Sequence, residues 1–541
     1  MQNKLAAKRN VRNKKRFAHF EPFCGYLFLF LLLSSCGSKP TDLRTVIPAD
    51  ALVYIESNDL GKAVRAITEN KTFLQLAKTK PDLSALDGIK LAVAVTGFET
   101  REEQITEENS VLNFQPRFVA AVETNAWNFQ AVSFTENKIG EFINNVYGGS
   151  VELETSDKHS GKYFVWTAQD GRKAFALVQG SVIFFGNDES AIEKCLAVKR
   201  GEADSIAKNP KITTGDRLAF GYVSTDGIAQ IASLAGATLA NSTGEEADVQ
   251  SFIARVLPEI LRGSVIDVSW TADRIEQGIR DKFTIGLTPE ISKVFNETLS
   301  PSNADASTLA EFLPANFFSA TGYNFNNPQI AWRTALLTAQ KQTDEISGKL
   351  IGAFSKSLFE PYAIENPELF LSAVGPQIIT GRFSSDGENV VVITTVKDAQ
   401  KLKEAIAKEI HFTKLPDKQG AADVWKSEDG EISAAFVGDK LILGNTENVL
   451  KCLQAQINGG NFAKNDIFEP FSASSAATMT FGKEEVSAAK IVEVLAERKS
   501  ENESIPTQFI TKTRFDQNGI ERRTHSDFGL IGSIIGQFGK E

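Results

Sequence analysis

The chain has 541 residues, of which 42% are apolar and 23% are charged, as is typical of a soluble globular protein. Its length excludes one ordinary hydrophobic core, because single cores stop growing at roughly 250 to 300 residues, so we expect two domains. The formal charge is −10 and becomes −16 without the first 35 residues, which carry seven basic side chains and one acidic side chain. This acidity disfavours nucleic acids and anionic lipid surfaces as partners.

The N-terminus has the three parts of an export signal. A basic stretch runs from Lys4 to Arg16, an apolar run from Tyr26 to Leu33 follows, and the small residues Ser34 and Ser35 come next. The apolar run is too short to cross a bilayer core of about 30 Å, which needs about 20 helical residues. We therefore expect a signal peptide over residues 1–35 and no permanent transmembrane anchor.

The segment Leu33-Ser34-Ser35-Cys36 resembles the lipobox of bacterial lipoproteins. In that family a diacylglyceryl group is attached to the cysteine, and the leader is cut directly before it. The resemblance implies that Cys36 is the lipid attachment residue and that its two or three acyl chains hold the protein on a membrane. It implies a cell-envelope lipoprotein that faces the periplasm or the exterior, with residues 36–46 as a short polar tether. An ordinary cleaved signal with an incidental cysteine is the alternative.

Two stretches of the body resemble each other in the order and spacing of their residues, which indicates an internal repeat. The matched pairs are Ile47-Pro48-Ala49-Asp50 with Leu313-Pro314-Ala315-Asn316, Trp166 with Trp425, Cys195 with Cys452, Phe220-Gly221 with Phe481-Gly482, and Ile275-Glu276 with Ile520-Glu521. We predict a first copy at 47–297, a linker at 298–309 and a second copy at 310–541. The first copy has two additional polar segments, Glu99 to Arg117 and Ala237 to Gln250, which we interpret as surface loops.

Hydrophobic periodicity predicts the elements of each copy. An amphipathic helix at 136–147 has Ile139, Phe142, Ile143 and Val146 on one face and ends at Gly148. Short β-rich runs follow at Tyr163–Thr167, Lys173–Val178 and Ser181–Phe185, and the same pattern recurs from Val424 to Leu443. A helix that carries the cysteine closes each unit. The prediction is an α+β fold of two tandem copies, each with a mostly antiparallel sheet packed by helices.

The two body cysteines, Cys195 and Cys452, encode no disulfide framework. Each lies on the apolar face of a predicted helix, where a free cysteine behaves as a small hydrophobic residue. We favour two buried thiols over one bridge between them.

The sequence contains no recognisable catalytic, cofactor or metal motif. His159, His411 and His525 are far apart in sequence, and we interpret them as surface or packing residues. The elbow motif of α/β-hydrolases, the phosphate-binding Walker loop and paired zinc-binding histidines are all absent from the sequence. Four glutamates between residues 102 and 108 lack the spacing of a calcium loop. The glycine-rich segment from Gly529 to Gly539 is interpreted as a C-terminal segment docked on its own domain.

The segment Ile47 to Glu56 resembles the start of the mature part in exported bacterial proteins of unknown function, in which Pro-Ala-Asp precedes a strand. This resemblance carries no catalytic residues. The first hypothesis is a non-catalytic envelope lipoprotein that binds or scaffolds another envelope component. The alternatives are a carrier of an apolar ligand in a cavity lined by some of the 38 phenylalanines, and an enzyme with an unrecognised site.

Overall fold

The computed structural model describes residues 41–104, 110–149, 151–213, 215–240, 247–303, 307–384, 389–465, 476–483, 488–496 and 507–537. The chain divides into two units, 1–42 and Leu43–Glu541, and every element described below belongs to the second unit. Helices pack on a large antiparallel sheet, which confirms the α+β class. Cys36 and the predicted signal lie outside the described residues.

The first ten strands form one continuous half of the sheet. They are β1 Val53–Ser57, β2 Lys90–Gln104, β3 Ser110–Glu123, β4 Glu152–Lys158, β5 Gly161–Thr167, β6 Lys173–Gln179, β7 Val182–Gly186, β8 Ala219–Val223, β9 Val265–Ile275 and β10 Gly278–Leu287. Their order across the sheet is β4-β5-β6-β7-β3-β2-β1-β8-β9-β10, and all neighbours are antiparallel.

The last ten strands follow the same order. They are β11 Ser319–Asn324, β12 Val374–Arg382, β13 Val390–Val396, β14 Asp417–Gln419, β15 Ala422–Lys426, β16 Ile432–Val437, β17 Lys440–Asn445, β18 Thr478–Lys483, β19 Gln508–Asp516 and β20 Gly519–Ser526. From the outer edge inwards they run β14-β15-β16-β17-β13-β12-β11-β18-β19-β20. Each strand therefore occupies the place of the strand numbered ten lower. The origin of this order by duplication stays a prediction.

The two halves meet where β10 pairs with β20. The pairing is antiparallel, with Ile279 opposite Ser526 and Gly286 opposite Gly519. Two glycines allow this approach, because a Cβ on Gly278 would collide with the carbonyl oxygen of Ser526, and a Cβ on Gly519 with that of Ile285. One sheet thus joins the two halves of the chain. The division of the sequence into two copies at residues 47–297 and 310–541 stays a prediction.

Helices cover both faces of the sheet. They are α1 Leu60–Thr68, α2 Lys71–Ala77, α3 Asn128–Phe134, α4 Gly140–Tyr147, α5 Glu189–Lys199, α6 Thr225–Ala240, α7 Ala247–Ser264, α8 Pro289–Thr298, α9 Ser307–Ala310, α10 Pro328–Lys341, α11 Glu345–Phe354, α12 Pro367–Ala373, α13 Ala399–Ala405, α14 Thr446–Asn458, α15 Ala488–Ala496 and α16 Gly529–Gly536. A π-helical turn, Thr135–Ile139, joins α3 to α4.

Successive residues of a strand point to opposite faces and so enter different cores. On β7, Ile183 packs with Ile143 of α4 on the first face, whereas Phe184 packs with Cys195 of α5 on the second face. On the second face of the other half, Cys452 of α14 occupies the corresponding core. Both cysteines are free and buried, which confirms the buried-thiol prediction.

On the first face, the two halves exchange helices. Phe252 of α7 contacts Phe354 of α11, with ring centroids 5.0 Å apart, and Arg255 Nη2 donates to Ser347 Oγ at 3.2 Å. In the opposite direction, Ile491 of α15 shares a core with Phe73 of α2. Each half therefore supplies a helix that packs against a helix of the other half.

The C-terminal helix α16 also crosses the junction. Gly529, Gly532 and Gly536 are buried, so the predicted docking is confirmed for the described glycines, while Gly539 lies outside the described residues. The prediction that it packs on its own copy is wrong in part, because Leu530 N donates to Asp281 Oδ2 of β10 at 2.9 Å. Trp270 Nε1 donates to Asp281 Oδ1 at 2.7 Å.

Several local predictions need correction. Glu99–Gln104 and Ser110–Arg117 are not loops but strand residues, since β2 and β3 extend as a long hairpin. The second predicted loop, Ala237 to Gln250, includes the end of α6 and the start of α7. The two ends of the predicted linker are also helical, in α8 and α9.

The predicted helix at 136–147 begins earlier in the structure, at Asn128 of α3. Ile143 is buried as expected, but Phe142 and Val146 are about half exposed, because the π-helical turn shifts the apolar stripe. The polar tether is shorter than predicted, since Leu43 and Val46 are buried in the core of the second face.

The predicted match of Ile275-Glu276 with Ile520-Glu521 is wrong in register. Ile275 ends β9, whereas Ile520 is the second residue of β20. The residue of β10 that is equivalent to Ile520 is Ile279, because each follows the glycine that begins its strand. In contrast, Pro48 and Pro314 make equivalent isolated bridges, to Ser205 and Asn461.

No helix in the described part of the chain is both long enough and apolar enough to span a membrane.

Candidate functional site

A groove of about 610 Å³ lies at the junction of the two halves. It is lined by the end of α1 and most of α2, by the turn between β9 and β10, and by the residue that follows β20. The lining residues are Ala66, Glu69, Asn70, Lys71, Thr72, Leu74, Gln75, Arg274, Ile275, Glu276, Gln277, Gly278 and Asp527. Its volume lies in the range of pockets that bind small ligands or short segments.

Hydrogen bonds from the start of α2 hold Asp527 at the edge of the groove. Asn70 caps α2, and its Oδ1 accepts from Thr72 N at 2.8 Å. Its Nδ2 donates to the backbone oxygen of Asp527 at 3.0 Å, and Thr72 Oγ1 donates to Asp527 Oδ2 at 2.7 Å. Asp527 is therefore fixed by two side chains of the first half.

An ion pair joins the end of β9 to the residue that follows α1. Arg274 Nη1 lies 2.9 Å from Glu69 Oε2, and Lys80 Nζ lies 3.8 Å from Glu69 Oε1. These groups are about a third to three fifths exposed, so the pairs fix geometry more than they add stability. They hold the β9–β10 turn beside α2.

The chemistry of the groove is polar and mixed in charge. Lys71, Gln75, Glu276 and Gln277 have exposed side chains that can still donate to or accept from a ligand. Apolar surface, from side chains such as Leu74, makes up at least as much of the wall as polar surface does. Such a lining suits a ligand that presents amides, hydroxyls or charges together with apolar groups.

A second polar cluster lies inside the core of the second face. Glu56 is only 5% exposed, and Tyr54 Oη donates to its Oε2 at 2.7 Å. Glu56 lies opposite Phe220 in the β1–β8 pair. In the equivalent β11–β18 pair of the second half, Ala320 lies opposite Phe481. Hydrophobic periodicity does not identify this buried carboxylate, because a polar residue at this position fits the ordinary alternation of a strand.

The histidines that the sequence offered are surface residues. His159 Nε2 lies 2.9 Å from Glu193 Oε1, and His411 Nε2 lies 3.0 Å from Glu428 Oε1. His525 is exposed on β20. Among the described residues, no group of three or more histidine, cysteine or acidic side chains is arranged to hold a metal ion. Of the four glutamates considered for calcium, Glu102 and Glu103 belong to β2, and Glu107 and Glu108 lie outside the described residues.

One Phe-lined pocket in the second half is small. It lies beside Phe317, Phe318, Phe462 and Phe481 and has a volume of about 30 Å³. That is room for about one water molecule, far less than a lipid chain needs. This pocket gives no support to an apolar carrier.

Burial in the two cores of the second face raises the pKa of Cys195 and of Cys452 to about 12. In a Cys24→Ser/Cys36→Ala background, only these two thiols remain. At pH 8 we expect a thiol-specific disulfide reagent to react with them at least about a hundredfold more slowly in the native protein than in guanidinium, because the thiolate is the reactive form. Rapid titration of two thiols in the native protein would contradict their burial.

Comparisons of the chain with protein-family models, with curated proteins and with solved structures found no match.

Proposed function

We propose that this protein is a membrane-anchored lipoprotein of a cell envelope that binds an extended polar peptide segment of another envelope protein. The lipobox resemblance around Cys36 supports the anchor, and the groove beside α2 supports the binding role. The observation that carries the binding role is the groove's lining of exposed amides and charges of both signs. A peptide presents the same mixture of donors and acceptors along its backbone and side chains.

The anchor and the body would be close together in this proposal. Seven residues from Cys36 to the buried Leu43 reach at most about 25 Å when fully extended. The body would therefore work at the membrane surface, where its partner must also be exposed.

The binding role is tested by photo-cross-linking in intact cells that produce the full chain. A photoreactive residue is placed at Gln277 or Gln75 in the groove, and at Leu415 as a control, which is 95% exposed and lies outside the groove. We expect a defined protein adduct from the two groove positions only, and we expect Arg274→Glu to weaken it, because the ion pair with Glu69 is lost. Equal adducts from Leu415, or none from the groove, would reject the proposed binding site.

The anchor is tested separately by mass spectrometry of the mature N-terminus and by fractionation of the Cys36→Ala variant. An acylated Cys36 as first residue, with loss of the variant from membranes, is the expected result. A different first residue or an uncut leader would refute the anchor without bearing on the groove.

A further inference from the structure

Three aromatic rings of the second half form a cage on the first face of the sheet. They belong to Phe412, to Trp425 of β15 and to Phe436 of β16. Their centroids lie 5.6 to 6.3 Å apart, and the planes of each pair meet at 58° to 89°. Trp425 is further fixed by its Nε1, which donates to Lys414 O at 2.9 Å. The three ring faces thus converge on one point from different directions.

The ammonium group of Lys403, on α13, occupies that point. Its Nζ lies 4.6 Å from the centroid of Trp425 and 5.5 Å from the centroids of Phe412 and Phe436. In the part of the chain that the structure describes, Lys403 takes part in no ion pair, while the nearby Glu428 pairs with His411 and Lys414. The cation is therefore held by the rings.

Among the described residues of the first half, no such cage lies at the corresponding place. Trp166 is 1% exposed there and stacks on Phe164 at 5.6 Å, with an angle of 10° between the rings. Trp166 pairs with Ala174 of β6, and two residues further along β6 is Ala176. Trp425 pairs with Ala434 of β16, and two residues further along β16 is Phe436. Helix α4 covers Trp166, but the shorter α13 leaves Trp425 half-buried. The cage is thus a feature of the second half and not a requirement of the shared strand order.

We propose that this cage is a binding site for a quaternary ammonium group, such as that of choline, and that Lys403 is a built-in occupant which the ligand displaces. Aromatic faces attract cations, and a desolvated contact with several rings is the geometry that recognises quaternary ammonium ligands. A lysine ammonium is compact and strongly hydrated, so it loses more hydration in the cage than a methylated ammonium does. The ligand can therefore replace Lys403, whose flexible stem lets its head return to water. The site is separate from the groove and does not depend on the peptide proposal.

The test compares choline binding to the full-length wild-type chain and to Lys403→Ala by calorimetry. We expect the variant to bind choline at least tenfold more tightly, because the competing ammonium is gone. In the Lys403→Ala background, Trp425→Ala should weaken binding at least tenfold. A neutral choline isostere, 3,3-dimethylbutan-1-ol, is the matched ligand control and should bind at least tenfold more weakly than choline.

Failure of Lys403→Ala to bind choline would overturn the proposal, as would equal binding of the neutral isostere. Thermal melting of each variant checks folding, and Lys403→Gln, which keeps part of the stem without the charge, replaces the alanine variant if that one is unfolded. Vesicle sedimentation in a Cys36→Ala/Lys403→Ala background then separates two sources of the same chemistry. Binding to phosphatidylcholine but not to phosphatidylglycerol vesicles would support a lipid head group, and choline binding without sedimentation would support a small solute.

Discussion

Replacing Gly519 with alanine is expected to destabilise the protein by about 3 kcal/mol. Gly519 has a φ of +135°, in a region that only glycine adopts readily. A Cβ there would also collide with the carbonyl oxygen of Ile285, so the backbone of β20 or β10 would have to move. The measurement is the free energy of unfolding from urea denaturation. Because the collision lies within the β10–β20 pair, the loss should include weaker pairing of the two halves.

Gly430→Ala is the matched control for that variant. Gly430 also has a positive φ, +77°, but no atom lies within 4 Å of the place where its Cβ would be. Only the cost of a left-handed alanine remains, about 1 kcal/mol. Equal losses for Gly430→Ala and Gly519→Ala would show that crowding at the junction is unimportant.

Replacing Asp281 with alanine is expected to cost about 3 kcal/mol, because two buried donors, Trp270 Nε1 and Leu530 N, would lose their acceptor. Asp281 is only 3% exposed, so water cannot easily take its place. The control is Asp216→Ala, whose carboxylate is 96% exposed in its pair with Lys62 and should change stability by at most about 0.5 kcal/mol. Similar losses from the two variants would argue against the bridging role of Asp281.

The same residue gives a prediction about pH. Burial raises the pKa of Asp281 above its ordinary value, although its two hydrogen bonds act in the opposite direction. A raised folded-state pKa means that the native protein keeps the proton on Asp281 up to a higher pH than the unfolded chain does. The contribution of Asp281 to the free energy of unfolding therefore falls as pH rises from about 4. Relative to Asp281→Asn, the wild type should therefore lose unfolding free energy with rising pH and then level off. A difference that grows in the wild type's favour would have the wrong sign.

Local sequence patterns predicted much of the fold. The β-rich runs around Trp166 and Trp425 are strands as predicted, and the two cysteines lie on buried helix faces as their apolar spacing indicated. These features depend on residues close together in the chain. The apolar face of the helix that contains Ile143 was predicted only in part, since Phe142 and Val146 are about half exposed. A π-helical turn before them changes the periodicity without a signal in the local sequence pattern.

The candidate site could not be predicted in the same way. Asn70 reads as a helix cap and Gln277-Gly278 as a turn, but Asp527 joins them only through the β10–β20 pair. The cage has the same origin, since Lys403 and Phe436 are brought together by packing of α13 on the sheet. Such juxtapositions depend on pairing between residues far apart in the chain, and hydrophobic periodicity within one segment does not predict that pairing.

The mutual exchange of helices across β10 and β20 has a consequence for any attempt to divide the molecule. Removing either half would strip a long strand of its hydrogen-bonding neighbour and leave a bare row of amide and carbonyl groups open to other chains. It would also expose apolar side chains that now pack across the junction, such as Phe354 against α7 and Phe73 against α15. Neither half is therefore a dispensable module, and truncated products of this chain should aggregate instead of persisting as smaller folded proteins.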